Sequence, residues 1–336
     1  TTASNNTSTG YKASLGTTTG ANNTSNGSHA LAGNTTGTTN TALGGFALYT
    51  NSTASYNTGV GYYALFANTT AAGNTAVGYN SLGVNTTGTE NVAVGMNALD
   101  GNTTSSYNTA VGYAALSNTN TGGYNTAIGR YAGVTNTSGS NNIYVGFGAG
   151  AAGTTGANNV AVGTEALDAN TTGGSNVAIG GGALGSNTTA SYNVAVGQAA
   201  LYANTTGTRN TAVGYVALDA NTTGNYNTAI GHFAGSAVTT GTHSTFVGDY
   251  AGAATTTGIQ NTAMGQASMQ LNTTGASNTA YGYASLNANT TGNSNIAAGH
   301  GALDANTTGS ENVAVGRDAL GAATTATLGE DGLLGL

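Results

Sequence analysis

Residues 74–90 read "NTAVGYNSLGVNTTGTE", and the next 17 residues read "NVAVGMNALDGNTTSSY". With the leading asparagine as position 0, that column runs Asn6, Asn23, Asn40, Asn57, Asn74 and on to Asn312, nineteen units without an insertion. Its single substitution is Ser244. Position +1 is threonine or a β-branched aliphatic, as in Thr75, Val92, Ile143, Val160 and Ile296. Position +2 is small, chiefly alanine (Ala76, Ala93, Ala110, Ala161, Ala212). Position +3 is a large aliphatic, as in Val60, Val77, Val94, Ile128, Val162, Ile179, Val213, Ile230 and Val315. Period-two alternation rich in β-branched residues predicts a short strand.

Position +4 is glycine in all nineteen units, from Gly10 to Gly316. Such a column marks positive φ or a backbone packed too closely for a side chain. A second apolar pair at +7 and +8, such as Ala98-Leu99, Ala166-Leu167 and Ala302-Leu303, predicts a second strand, and "NTTG" then supplies a turn. Helix is excluded by the density of glycine and asparagine. A fixed path length per unit is the property of stacked coils rather than of beads on a linker. The expected fold is therefore all-β: a parallel β-solenoid, or β-roll, of about nineteen 17-residue coils. Coils about 4.8 Å apart would give a rod of roughly 90 Å. Stacked register asparagines are expected to bond one another along it. The solenoid domain is expected over 1–324. The segment 325–336, "TATLGEDGLLGL", breaks the register and reads as a cap or the start of a further region.

One chain encloses only a thin core of Val, Ile, Leu and Ala, and neither strand face carries charge. The small-residue face is therefore expected to pack on another chain or sheet. A homotrimer is the natural closed form. An end-to-end fibre through exposed strand edges and a thin monomeric roll are the alternatives.

Composition alters this picture in two ways. Only 4% of residues are charged and 56 are glycine, a composition that alone would suggest a disordered polar tract; the periodic order argues otherwise. Only four residues are basic and the net charge is −7, so no phosphate-binding stripe can form and nucleic acid is excluded as a natural partner. No run of eighteen apolar residues exists, so no membrane span is expected. The first residues lack the pattern of a signal peptide. The absence of an initial Met suggests a processed product or a segment of a longer chain. With no cysteine, the fold suits either redox compartment.

The pattern N-x-A-(V/I)-G-x-x-A-L, as in "NVAIGGGAL" (176–184) and "NVAVGQAAL" (193–201), resembles the head repeats of trimeric autotransporter adhesins. Related repeats occur in bacterial surface fibres and phage tail-fibre-like proteins. The resemblance covers about residues 6–320. It implies a left-handed parallel β-roll in an obligate trimer, acting as a structural or adhesive module at a cell surface, outside the cell or on a virion fibre. It supplies no catalytic residues and no cofactor. The units here are longer than the family's, the extra length lying at "NTTG", and no anchor strands or heptad stalk are visible.

Reactive groups are dispersed. His29 and His243 lie in other columns; His232 and His300 share position +5 but stand four coils apart, about 19 Å. Asp100, Asp168, Asp219 and Asp304 share position +9, the nearest two about 14 Å apart. Paired glycosidase carboxyls sit about 5–9.5 Å apart, so an enzyme is not expected. No calcium-binding nonapeptide occurs. The glycine-rich "GFGAGAAG" (146–153) lacks the strand–loop–helix context and lysine of a phosphate loop. No metal or cofactor is expected.

Two columns carry the functional expectation. Tyr62, Tyr79, Tyr113, Tyr215 and Tyr283 at +5 are candidate surface contacts for carbohydrate, a host surface or a partner chain; covering the turn is the structural alternative, shared with Tyr56, Tyr107, Tyr124, Tyr192 and Tyr226 before the register asparagine. At +11, Asn34, Asn51, Asn68, Asn85, Asn102, Asn136, Asn170, Asn187, Asn204, Asn221, Asn272, Asn289 and Asn306 are formal N-x-[ST] acceptors for glycosylation. Their alternative is plain turn chemistry, and the threonine pairs beside them are possible O-glycan carriers. An ice-binding or other surface-binding solenoid is the second functional reading. Against it, adjacent threonines diverge, whereas a flat array needs positions i and i+2 of one strand, and Val and Ile interrupt the +1 threonines as if partly buried.

Overall fold

The computed structural model describes residues 2–325. Among them are nineteen three-residue strands and no helix, from β1 (Thr7–Thr9) to β19 (Val313–Val315), one per coil at positions +1 to +3. The chain divides into two compact units, residues 1–172 and 173–336. In the first, β1 to β10 (Val160–Val162) pair in parallel in chain order, in register, as Thr75↔Val92, Ala76↔Ala93 and Val77↔Val94. In the second, β11 (Val177–Ile179) to β19 do the same, as Thr211↔Thr228, Ala212↔Ala229 and Val213↔Ile230. Each unit is a parallel β-solenoid with a 17-residue coil. Of the register-breaking segment expected at 325–336, residues 326–336 lie outside the described residues.

The expected orientation of the strand is reversed. Alanine at +2 faces inward and is fully buried, as at Ala76, Ala93 and Ala212, where it meets the buried Ala at +7 and Leu at +8. The larger +3 residues face outward; Ile128 and Ile230 are about two-fifths exposed, at 43% and 42%. The reason is width. A coil closed by 17 residues leaves room for a methyl opposite a leucine, not for two branched side chains. The small face is thus consumed within the chain's own core, and the face left for a neighbour is the β-branched one.

The expected second strand is absent; the +5 to +10 stretch is turns. Leucines at +8 have φ of 49–56°, and residues at +6 are left-handed as well, as in Phe46 at 57° and Tyr63 at 60°. Left-handed backbone at a non-glycine residue costs about 1–2 kcal/mol. Here alternate left-handed residues send their N–H groups to opposite neighbours. Phe46 N donates to Ser28 O at 2.9 Å, and Leu48 N to Ala64 O at 2.9 Å. Hydrogen bonds between coils therefore continue around the turn side without an extended strand. The +4 glycines meet both conditions expected of them: their φ values are 124–141°, and a Cβ on Gly78 would lie 2.6 Å from Gly95 O.

Two departures from the repeat compensate each other. Tyr144 and Phe246 replace alanine at +2, and both are buried. The leucines on either side of each are replaced by glycine: Gly133 and Gly150 around Tyr144, Gly235 and Gly252 around Phe246. A Cβ on Gly133 would lie 2.7 Å from the Tyr144 ring, and one on Gly235 2.7 Å from the Phe246 ring. One aromatic ring thus fills the space of two leucine side chains. This accounts for part of the glycine-rich 146–153 stretch as packing.

Candidate functional site

From +11 to +16 the backbone cycles every three residues: +11 and +14 are mostly buried, +12 and +15 mostly half-buried, +13 and +16 mostly exposed. Two asparagine ladders flank the small +14 column. In the register ladder the side-chain oxygen accepts the backbone N–H of the next coil's asparagine, as Asn91 N to Asn74 Oδ1 at 2.9 Å. Its Nδ2 donates to the +14 carbonyl, as Asn40 to Ala54 O at 2.8 Å. The turn ladder reaches the same atom from the other side: Asn51 Nδ2 donates to Ala54 O at 3.0 Å and to Asn34 Oδ1 at 3.1 Å. A buried amide with both hydrogens engaged is held rigidly.

That geometry corrects the glycosylation reading for the folded chain. Asn34, Asn51, Asn68, Asn85, Asn102, Asn136, Asn170, Asn187, Asn204, Asn221, Asn272, Asn289 and Asn306 are all buried. An acceptor must offer Nδ2 to solvent, and this column faces the coil interior. It is a structural ladder. Its ends are visible as orphaned acceptors: Asn136 Oδ1, Asn221 Oδ1 and Asn306 Oδ1 have no partner. In each case the following coil carries Gly153, Val238 or Ala323 instead of asparagine.

The two threonines of the turn have different fates. At +12 the hydroxyl donates to the next coil's carbonyl, as Thr86 to Thr103 O at 2.9 Å and Thr205 to Thr222 O at 3.0 Å. At +13 the side chain is exposed, and the column is threonine from Thr19 to Thr325 with Ser138 as its one departure. Most +1 threonines are half-buried, in keeping with the Val and Ile that interrupt their column, and they stand beside the outward +3 residues.

Tyr62, Tyr79, Tyr113, Tyr215 and Tyr283 are 37–51% exposed. Several rings stack along their column. Tyr62 lies on Tyr79 at 6.0 Å and 10° and Tyr215 on His232 at 5.6 Å and 19°; in the column before the register asparagine, Tyr107 lies on Tyr124 at 4.7 Å and 15°. Arg209 sits between Tyr192 and Tyr226, 5.6 and 5.4 Å from their centroids. Such stacking turns ring faces toward neighbouring coils, a stapling geometry.

Two histidine–carboxylate pairs join residue types that each look dispersed when taken alone in the sequence. His232 Nδ1 lies 2.9 Å from Asp249 Oδ1, and His300 Nδ1 lies 3.5 Å from Asp318 Oδ1. The signal was present: residues 232 and 249 are 17 apart, one above the other. Burial raises the Asp100, Asp168 and Asp219 carboxyls above their ordinary value, and Glu165 adds to the effect at Asp168. Among the described residues no three His, Cys, Asp or Glu side chains are grouped to hold a metal, and no helix is long and apolar enough to cross a membrane. The chain matches no protein-family model, no curated protein and no solved structure.

Proposed function

We propose that this protein is a non-enzymatic structural module of an extracellular, cell-surface or virion fibre that assembles with copies of itself through the outward strand face. One observation carries the reading. Positions +1 and +3 of β1 to β19 contain no charged residue, yet none of them is fully buried: most are half-buried and the rest exposed. A solvated sheet face ordinarily alternates with polar and charged residues, and an uncharged β-branched stripe is suited to packing on another sheet. A homotrimer around this face, or a fibre built by it, is consistent with the resemblance to adhesin head repeats. The exposed +5 tyrosines serve as the adhesive contacts to carbohydrate or a host surface.

Sedimentation velocity and electron microscopy test the assembly. The wild-type chain is expected to sediment as an oligomer. Ile179→Lys combined with Ile230→Lys, two outward residues at 39% and 42% exposure, should give monomers with unchanged circular dichroism. A monomeric wild type at micromolar concentration, or an oligomer indifferent to both lysines, would sink the proposal. A second reading, binding to ice or another ordered surface, is supported by the exposed +13 threonine column; inactivity in an ice-recrystallisation assay eliminates it.

A further inference from the structure

In the first unit the +9 column runs Leu15, Ala32, Tyr49, Phe66. Tyr49 and Phe66 stack at 5.3 Å and 5°, so the other face of Tyr49 looks along the column toward Ala32. The alanine methyl leaves that step empty. The result is a cavity of about 300 Å³ between Leu15 and Tyr49, floored by Ala32 and Gly33 and flanked by Lys12 and His29. Its span is two coil spacings, about 9.6 Å. Two stacked contacts of about 4.5 Å each fill that span with a single ring between them.

The charge at this slot is also unusual. Lys12 is the only basic residue before Arg130, and no Asp or Glu occurs before Glu90. More than four coil spacings, about 20 Å, separate Lys12 from the first carboxylate, beyond the screening length of about 8 Å at physiological salt. Its ammonium, 5.2 Å from the Tyr11 ring centroid, has no carboxylate partner in the surrounding coils. His29 uses Nδ1 on the Ser28 hydroxyl at 3.0 Å, which leaves Nε2 for a ligand hydroxyl.

We infer that this slot binds a carboxylate-bearing saccharide, one hexuronic acid ring with its C–H face on Tyr49 and its carboxylate at Lys12. A flat ring with apolar faces, hydroxyl edges and one negative charge matches each wall in turn. The inference does not depend on self-association of the strand face, and either can fail alone.

The test is a ligand titration of the full chain followed by NMR, with glucuronate as probe and glucose and benzoate as comparisons. Glucuronate is expected to produce saturable shifts, with glucose and benzoate at least tenfold weaker. Ala32→Leu, which places at this step the side chain already present at Leu15, should abolish binding without changing the melting temperature. Lys12→Met, at an exposed residue, should weaken binding at least tenfold and tests the site even if the leucine variant misfolds. The absence of saturable glucuronate binding overturns the inference. So does binding that survives Ala32→Leu in a folded chain, equal affinity for glucose, or tighter affinity for benzoate.

Discussion

Phe246 offers a quantitative test of how the core is filled. Its ring is fully buried, and it stands where Ala212 stands two coils earlier, with Gly235 and Gly252 in place of Leu201 and Leu218. Phe246→Ala removes the ring while leaving no leucine to close the space, so the loss should be near the full large-to-small cost of about 3–5 kcal/mol. Gly235→Leu alone should also destabilise, because its Cβ would lie 2.7 Å from the ring and 3.1 Å from Leu218. The triple variant Phe246→Ala, Gly235→Leu, Gly252→Leu rebuilds the common arrangement. Each new leucine buries a side chain worth about 1.5–3 kcal/mol. It adopts a left-handed conformation at about 1–2 kcal/mol, one that Leu201 and Leu218 already hold at φ 52° and 51°. Stability within about 2 kcal/mol of wild type is expected. A solenoid unfolds by local units, so the measurement is native-state hydrogen exchange of coils near residue 246 alongside a denaturant melt. If the triple variant is no more stable than Phe246→Ala, the exchange of one ring for two leucines is not what holds these coils.

Asn204→Ala, inside the turn ladder, should cost about 1–3 kcal/mol more than Asn221→Ala. Each substitution removes the amide that donates to the preceding coil, to Asn187 Oδ1 from Asn204 and to Asn204 Oδ1 from Asn221. Only Asn204→Ala also takes away an acceptor in use, leaving a buried Asn221 Nδ2 hydrogen unpaired, because Asn221 Oδ1 already lacks a partner; equal losses by denaturant melting would contradict the ladder. Gly78→Ala should cost about 3 kcal/mol or more by the same measurement, since φ of 133° is strained for alanine and its Cβ would meet Gly95 O at 2.6 Å. The raised Asp100, Asp168 and Asp219 carboxyls bind protons more readily in the folded state than in the unfolded one. Their contribution therefore destabilises at neutral pH and is relieved as pH falls through the raised values toward 3.8. Asp100→Asn should accordingly stabilise at pH 7, with the gain shrinking as pH falls through that window in a series of thermal melts; a gain independent of pH would refute burial as the cause. Peptide mass spectrometry across the +11 asparagines of natural material should show no N-linked sugar, since all thirteen are buried.

The sequence by itself determined the coil. An uninterrupted 17-residue period, a glycine in every unit and an alternating β-branched triplet leave little besides a parallel solenoid, because stacked identical coils must have equal path length. It also announced the register ladder, since an asparagine in every coil but one has its own copies above and below as partners. What the sequence could not decide was direction. Thr-Ala-Val alternates equally well with either face inward, and only closure of so narrow a coil sends alanine in and valine out. Nor could composition reveal the left-handed leucines, because leucine ordinarily avoids that conformation; the four glycines in their column were the one local sign. The +11 asparagines looked like surface acceptors because Asn-Thr-Thr is a turn sequence in isolation. In the folded coil the three-residue cycle of that turn points asparagine inward and the second threonine outward. The slot at Ala32 is likewise invisible in one unit: it exists because a short side chain falls between Leu15 and Tyr49 in a column that only stacking creates.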